Sequence, residues 1–363
     1  MASIAMQTPT RPVAIVGAGA SGLAAAWQLS QLGIPSTIFE KSRGLSGRAA
    51  TRRKHGHHYD HGANFFRLDD PEVARLLRKH IPTDGLVEIP GDVWTFDAEG
   101  NLHPGDPAHN AVPKWTYRDG INTLGKHLLA ASPMATAVRE THILRIGKND
   151  DWWLDDDSGK RHAGFRCILL TPPTPQSATI LRDSGIDDAL ATALDSLQYH
   201  PQFSLILGYH TPPLSERPFH ALVNLDGRHP LAWLSFEEDK PGHVADGASV
   251  IVAQLSPAWS ANHYETPPET WLKDALAIIR DLLRSPLPTP DWWDTQRWRY
   301  AHPVPGNPIP TDALRSREID GIFLAGDGLL GKGRVPLAIR SGLDAAKRIA
   351  TIHPITPPRT SAR

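Results

Sequence analysis

Residues 17–22, Gly17-Ala18-Gly19-Ala20-Ser21-Gly22, and the later carboxylate of Glu40 are of the type and spacing that hold a pyrophosphate and a ribose. Gly17 permits a tight turn, Gly19 lets backbone approach a phosphate with no Cβ in the way, and Gly22 lets a helix pack close to a strand. Phosphate oxygens would rest on the free N–H groups and positive end of that helix. Ser21 lies in the same turn, and Glu40 would accept hydrogen bonds from ribose hydroxyls. A bare G-x-G-x-x-G is weak evidence, and an ordinary glycine-rich turn is the plainer alternative; the flanking elements give the motif its weight. Val13-Ala14-Ile15-Val16 reads as a buried strand, and Leu23, Ala26, Trp27, Leu29 and Leu32 recur at helical spacing. Gly33 then stands where a helix end favours a left-handed residue, and Ser36-Thr37-Ile38-Phe39 makes a second strand ending in Glu40.

Four other stretches could contribute chemistry. The basic run from Lys41 to Arg53, with Gly44, Gly47 and Arg48, falls after the second strand, where arginines can neutralise phosphates; a solvated loop is the alternative. His55, His57, His58 and His61 crowd together, but their spacing matches no zinc pattern, and 18 histidines are spread over the chain. That segment reads better as a turn into Tyr59-Asp60-His61-Gly62-Ala63, where glycine admits a flat ligand. In Gln296-Arg297-Trp298-Arg299-Tyr300 polar residues alternate with aromatics, so a strand would present Trp298 and Tyr300 on one face, whether to a ligand or to the core. Near the C-terminus a strand over 321–325 enters a second glycine-rich turn, with Gly326 and Asp327, followed by a helix over 335–349.

The intervening chain supplies the scaffold. Asp70 and Pro71 open a helix over 70–81. Short strands are expected at 86–89 and 93–96, a hairpin turn at 99–101, a loop at 115–120, a helix at 122–131 and a strand over 137–143. Trp152-Trp153-Leu154 pairs with 163–167 across an acidic turn, and 168–170 is a buried strand. Residues 198–255 read as strands, and 267–284 as a helix that covers them. The 363-residue length suits two lobes, and a net charge of −1 gives no argument for a nucleic-acid partner. A single cysteine, Cys167 in an apolar run, excludes a disulfide framework. No stretch has the length of a membrane span and the N-terminus carries no leader pattern, so a soluble cytoplasmic protein is expected. The 33 prolines imply many fixed loops, and the 11 tryptophans imply broad contact surfaces.

Taken together, the stretches 17–40, 42–48 and 60–66 resemble the flavin amine-oxidase superfamily. Residues 296–301, 324–327, 331–335 and 338–342, the last beginning at Ala338, are similar to its renalase-like branch. The resemblance implies an α/β fold: a Rossmann-like FAD-binding domain of the p-hydroxybenzoate hydroxylase/amine oxidase type, with a second, mostly antiparallel β-sheet substrate domain carrying helices. The expected division is 11–69 with 113–195 and 301–350 for FAD, 70–112 with 196–300 for substrate, and loose termini at 1–10 and 351–363. It further implies that Gly17, Gly19, Ser21 and Gly22 hold the FAD pyrophosphate, Glu40 with Lys41 the ribose end, and Gly47 and Arg48 the phosphates. Asn64 and Phe65 would lie near the isoalloxazine, Val138 would present backbone to the adenine, and Gly326 and Asp327 would meet the ribityl–phosphate region. Ala338 lies in the final helix, whose N-terminus would face the flavin. Two departures stand out: Asn64 replaces the glutamine usual in relatives, and 171–173 is richer in proline.

Renalase-like enzymes oxidise the 2- or 6-dihydro isomers of nicotinamide dinucleotides to NAD(P)+, with oxygen leaving as hydrogen peroxide. By this resemblance the partners are such a dinucleotide and molecular oxygen, with no nucleic acid and no membrane anchor, and the protein is a monomer or homodimer. Hydride transfer of this kind needs ring alignment more than acid–base help, and Trp298, Arg299 and Tyr300 are the expected positioning residues. The rivals are an amine oxidase, for which Lys332 would be the flavin-side lysine, a flavin desaturase, and a flavin-binding protein without turnover.

Overall fold

The computed structural model describes residues 11–354 apart from 215 and 307. Its first layer is a parallel five-stranded sheet in the order Ile322–Leu324, Cys167–Leu170, Val13–Val16, Ser36–Glu40, Ala135–Arg139. These strands are apolar almost throughout because both faces are covered. Val13 and Ile15 pack with the helices Ala20–Gln31 and Val335–Ile352, whereas Ala14 and Val16 pack against an antiparallel meander over 143–165. Val13–Val16 sits centrally, with its successor on one side and Cys167–Leu170 on the other. The strand order therefore reverses there, which opens a crevice at the carboxyl ends. Cys167 is sealed in this core, and burial pushes its thiol up to about 12, which keeps it protonated and unreactive.

The second layer is a seven-stranded sheet running Trp292–Pro303, Tyr199–Tyr209, Ser249–Leu255, Leu231–Phe236, Ala221–Asn224, Val93–Phe96, Leu102–His103. Only the pairing of Ala221–Asn224 with Val93–Phe96 is parallel. Strand alternation divides its residues. Phe203, Leu205, Leu207, Ile251 and Ala253 bury against the amphipathic helix Pro268–Leu283 through Trp271, Ile279 and Leu282. Ser204 and Gln254 turn to the opposite face, where each donates a 2.7 Å hydrogen bond to a carbonyl, that of His61 and of Gly62 respectively. The α/β class with a second, mostly antiparallel sheet is thus the observed architecture. No helix among the described residues is long and apolar enough to cross a membrane.

Several local expectations hold for the physical reasons given. Asp70 caps Pro71–Lys79 by accepting from the N–H groups of Glu72 and Val73, and Gly33 ends the first helix at φ +71°. His55 and Gly56, both at positive φ, form the two-residue turn between Thr51–Lys54 and His57–Asp60. Other expectations need correction. The loop at 115–120 contains the strand Trp115–Tyr117, paired with Leu86–Glu88, which is too short to show alternation. The strand expected at 137–143 is two strands, Ala135–Arg139 and Ile143–Lys148, separated at Glu140, whose φ is +55°. Two helices, Thr174–Asp183 and Asp188–Asp195, follow the proline run. The last helix runs further than expected, since residues 351 and 352 still belong to it, while 1–10 and 355–363 lie outside the described residues.

The two layers are joined by buried charge. The Lys240 ammonium lies 3.2 Å from Asp60 and 2.8 Å from Glu237, with all three side chains fully enclosed. The fourth member of this cluster is His243, whose Nδ1 lies 3.1 Å from Glu237 and whose Nε2 lies 3.0 Å from the Tyr117 carbonyl. Both of those partners only accept, so both ring nitrogens must carry protons. Burial alone would lower the His243 pKa, but Asp60 and Glu237 outweigh it and raise it. Two cations thus balance two carboxylates.

Lys240→Met should cost about 3–5 kcal/mol, because it strands two buried carboxylates; a urea melt measures this. The His243 contribution is complete below its unfolded value of about 6.5 and is lost as pH rises through the raised folded value. The stability gap between wild type and His243→Gln should therefore narrow from about pH 6.5 upward, and a gap constant to pH 9 would remove the charge from His243.

Candidate active site

The fingerprint turn is assembled by contacts from distant chain. Gly17 has φ +99°, and a Cβ there would lie 2.6 Å from Thr171 Oγ1. That hydroxyl donates 2.8 Å to the Val16 carbonyl and holds the turn against the strand Cys167–Leu170. Glu40, nearly enclosed, accepts from the Ala18 N–H at 2.8 Å with one oxygen and from the Ser42 N–H at 2.8 Å with the other. A carboxylate has about four lone-pair sites, so acceptor capacity for ribose hydroxyls remains. Gly19 differs from its neighbours: its backbone is ordinary extended chain, and a Cβ there would meet nothing within 4 Å. The helix Ala20–Gln31 has no side-chain cap and no acid in its first turn, and Ser21 Oγ is buried without a partner. Open space, bare helix N–H groups and an orphaned hydroxyl at one place fit the pyrophosphate of a dinucleotide cofactor. The helix Val335–Ile352 likewise starts with no side-chain cap and no acid, and its first turn contains Ala338.

The basic run closes over this turn. Ser46 N–H donates 2.8 Å to the Ala18 carbonyl, and Ser46 Oγ bridges the Asn122 carbonyl and the Gly125 N–H, both at 3.0 Å. Gly47, at φ +57°, abuts Gly19, since a Cβ on it would lie 3.2 Å from the Gly19 Cα. The arginines are engaged by the protein itself. Arg48 donates to the Ala301 carbonyl at 2.8 Å and pairs with Asp327 at 2.5 Å, Arg52 pairs with Asp294 at 2.7 Å, and Arg53 donates to His58 and to the Asp119 carbonyl. Carboxylates and carbonyls of the protein itself thus hold the arginines of this run. Asp327 also accepts from the Gly328 N–H at 3.0 Å, and the Gly326 N–H donates to Ser341. Lys41 is exposed beside Glu40, and Val138 lies on the sheet edge in register with Phe39.

The facing wall comes from the second sheet. Trp298 donates 2.9 Å to the His61 carbonyl and stacks on the His61 ring at 5.5 Å and 17°. Burial, followed by Arg52, lowers the His61 pKa to about 4, so this imidazole is neutral, and its Nδ1 has no partner. Tyr300 meets Tyr199 edge-on at 5.8 Å. The structure does not bring Arg299 to this wall. It projects from the other face of the strand, exposed, with its Nε donating to the Tyr264 hydroxyl at 3.2 Å, so it is removed from the positioning group. Asn64 accepts from Ser235 at 3.3 Å, and the Phe65 ring lies 5.9 Å from that of Trp233. Lys332 is exposed in its turn. Ser46, Thr171, His61 and Trp233 are site residues to which the sequence assigns no role; only His61, beside Gly62 in a glycine-bearing run, carries a local signal.

A parallel sheet with bare helix ends at a glycine turn, joined to an antiparallel sheet, is the architecture of a dinucleotide-binding protein. Residues 111–350 match the family of flavin-containing amine oxidoreductases, to which the chain belongs, and residues 15–80 match an NAD(P)-binding Rossmann-like domain. It is accordingly an FAD-dependent oxidoreductase of that superfamily. Protoporphyrinogen oxidase 2 of Arabidopsis thaliana is 43% identical over 65 residues, covering 18% of this chain and 13% of that protein. The TrmFO tRNA methyltransferase of Phenylobacterium zucineum is 26% identical over 257 residues, covering 68% of this chain and 43% of that one. The chain thus spans less than half the length of these curated relatives. Among solved structures, a candidate protoporphyrinogen oxidase from Exiguobacterium sp. 255-15 superposes with a TM-score of 0.76 at 17% identity, over 95% of this chain and all of that one. Putrescine oxidase bound to putrescine superposes at 0.70 with 14% identity, over 94% and 99% of the two chains. At such identities the likeness is one of fold.

Gly19 and Gly22 should separate cofactor binding from folding. Gly22→Ala drives a Cβ to 2.1 Å from the Gly17 carbonyl and should destabilise the protein by about 1–3 kcal/mol. Gly19→Val places its Cβ where no protein atom lies within 4 Å, so the apoprotein should lose only about 1 kcal/mol, the cost of valine at a helix N-cap, while losing flavin on gel filtration. Full flavin occupancy in Gly19→Val would remove the pyrophosphate from this turn.

Proposed function

We propose that this enzyme oxidises misreduced nicotinamide dinucleotides, the 2- or 6-dihydro isomers, to NAD(P)+. Bound FAD supplies the hydride acceptor and passes the two electrons to oxygen, which leaves with two protons as hydrogen peroxide. The observation that carries this reading is a set of aromatic rings on one strand: Trp298, stacked on neutral His61 and close against Gly62, and Tyr300, held edge-on by Tyr199. A flat dihydropyridine gives up hydride without prior deprotonation, so flat surfaces that hold it at contact distance supply what the reaction needs. An amine oxidase would call for a lysine near the flavin, and Lys332, its candidate, is exposed. In this reading residues 11–69, 113–195 and 301–350 hold FAD, with Glu40 at the ribose and Ser21 at the pyrophosphate. Residues 70–112 and 196–300 cover the substrate, and Asn64 and Phe65 border the flavin ring.

Anaerobic bleaching of the flavin band tests the reading with 2- and 6-dihydro-NAD(P), ordinary NADH and NADPH, and primary amines as donors. Fast bleaching by the isomeric dihydronicotinamides alone is the expected result; bleaching by amines overturns it. Tyr300→Ala should slow flavin reduction by about 10-fold or more through lost alignment while leaving reoxidation by oxygen at the wild-type rate. Stopped-flow half-reactions measure the two separately.

A further inference from the structure

A buried lysine and a half-buried arginine lie side by side without an ion-pair partner among the described residues. Phe66 and Trp115 exchange N–H···O bonds of 3.0 and 2.9 Å across an antiparallel bridge. Arg67 and Lys114, one step outward on the two segments, are therefore cross-strand neighbours. Phe66 and Trp115 pack into the core beneath the parallel sheet, so alternation turns Arg67, Lys114 and Phe65 to the other side, toward the second sheet. Phe65 meets Trp233 of that sheet, and the Arg67 guanidinium lies 5.8 Å from the Phe65 ring centre. Lys114 is only 4% exposed.

Like charges placed opposite each other in a ladder repel, and burial sharpens the cost. Neither residue has an ion pair within 4.0 Å among the described residues. Arg67 directs one nitrogen to the His109 carbonyl at 3.0 Å, while its Nε is enclosed without a partner. Asp92 and Glu88 act on Lys114 only from beyond pairing distance, and burial together with Arg67 lowers its pKa. Lys240 shows what a structural buried lysine looks like in this protein: it contacts two carboxylates. Lys114 has the burial without the compensation.

We infer that Lys114 and Arg67 form an anion subsite of the active-site pocket, beyond Phe65 and Trp233, that takes a phosphate or carboxylate group of the reducing substrate. The fork of Arg67 and the compact ammonium of Lys114 together offer two charges to one anionic group. The placement within the active-site pocket rests on the proposed reading, in which Phe65 borders the flavin; the anion site itself does not. For a dinucleotide substrate the group is the pyrophosphate.

The test uses the FAD-loaded protein. Calorimetric titration with inorganic pyrophosphate and, separately, with succinate distinguishes the two anion classes. Lys114→Gln and Arg67→Gln should each weaken binding of the preferred anion by about 10-fold or more, and Lys114→Arg should restore it. Lys114→Met should also melt about 2 °C or more above wild type, because it removes an uncompensated buried charge, whereas a purely structural lysine would melt lower. In flavin reduction, the preference for a dihydronicotinamide dinucleotide over the phosphate-free riboside should fall about 10-fold in Lys114→Gln. Binding of neither anion to wild type, or equal binding to wild type and both glutamine variants, overturns the inference. Loss of anion binding in the variants, with no bleaching of wild type by any dihydronicotinamide, would keep the subsite and reject the proposed substrate.

Discussion

The constraint on which the active site depends is the enclosed cluster of Asp60, Lys240, Glu237 and His243. Asp60 receives the Thr51 hydroxyl at 2.6 Å, the Ile121 N–H at 3.0 Å and the Lys240 ammonium at 3.2 Å, and its own N–H donates to Glu237 at 3.0 Å. Three segments, around residues 51, 121 and 237–240, thus converge on one residue. Asp60 immediately precedes the stretch 61–67, which carries His61, Asn64, Phe65 and Arg67. Fixing its carboxylate fixes the start of that stretch, and the hydrogen bonds from Ser204 and Gln254 to the His61 and Gly62 carbonyls fix its height against the second sheet. A fully satisfied polar network specifies one arrangement, because each alternative leaves a buried charge unpaired. An apolar patch in the same place would tolerate sliding between the layers.

A second constraint governs the nucleotide end. Glu40 uses one acceptor site on each oxygen to hold the Ala18 and Ser42 N–H groups, so the acid that ends the second strand also shapes the glycine turn before the first helix. The two helices that point at this region are left uncapped at their starts, at a cost in helix stability that a bound anionic group would offset. Their close approach, with a Cβ on Gly342 only 2.0 Å from the Ser21 carbonyl, sets both ends relative to each other.

What the sequence made legible was local. The turn, helix and acid from Gly17 to Glu40 are adjacent in the chain, and each has one physical explanation. The contacts that hold them in place were not legible: Thr171 is 155 residues from the Val16 carbonyl it bonds, and Ser46 bridges to Asn122 over 76. No periodicity encodes such a pairing. The partners of the basic run were hidden for a related reason. Composition shows that arginines are present, but not that Asp294, from the strand Trp292–Pro303, and Asp327, from the turn after the last strand, arrive to engage Arg52 and Arg48. Arg299 is a different kind of miss, since the period-two rule that groups Trp298 with Tyr300 already excludes the residue between them. The helices at 174–195 follow Pro172 and Pro173, where a proline serves at a helix start as readily as in a turn.

Burial alone does not reveal the purpose of a lysine; its partners do. Lys240 and Lys114 are both buried residues. At Lys240 the neighbours raise the pKa against the effect of burial, because two carboxylates favour the proton. At Lys114 burial prevails and the pKa falls, because the charged group across the bridge is another cation. The first arrangement is at its most favourable in the protein by itself. The second is incomplete until an anion arrives, and it stands where the two layers face each other across Phe65 and Trp233. A fold that can neutralise one buried lysine so fully, yet leaves another uncompensated beside an arginine, gives up stability there, and a charged ligand is what would restore it.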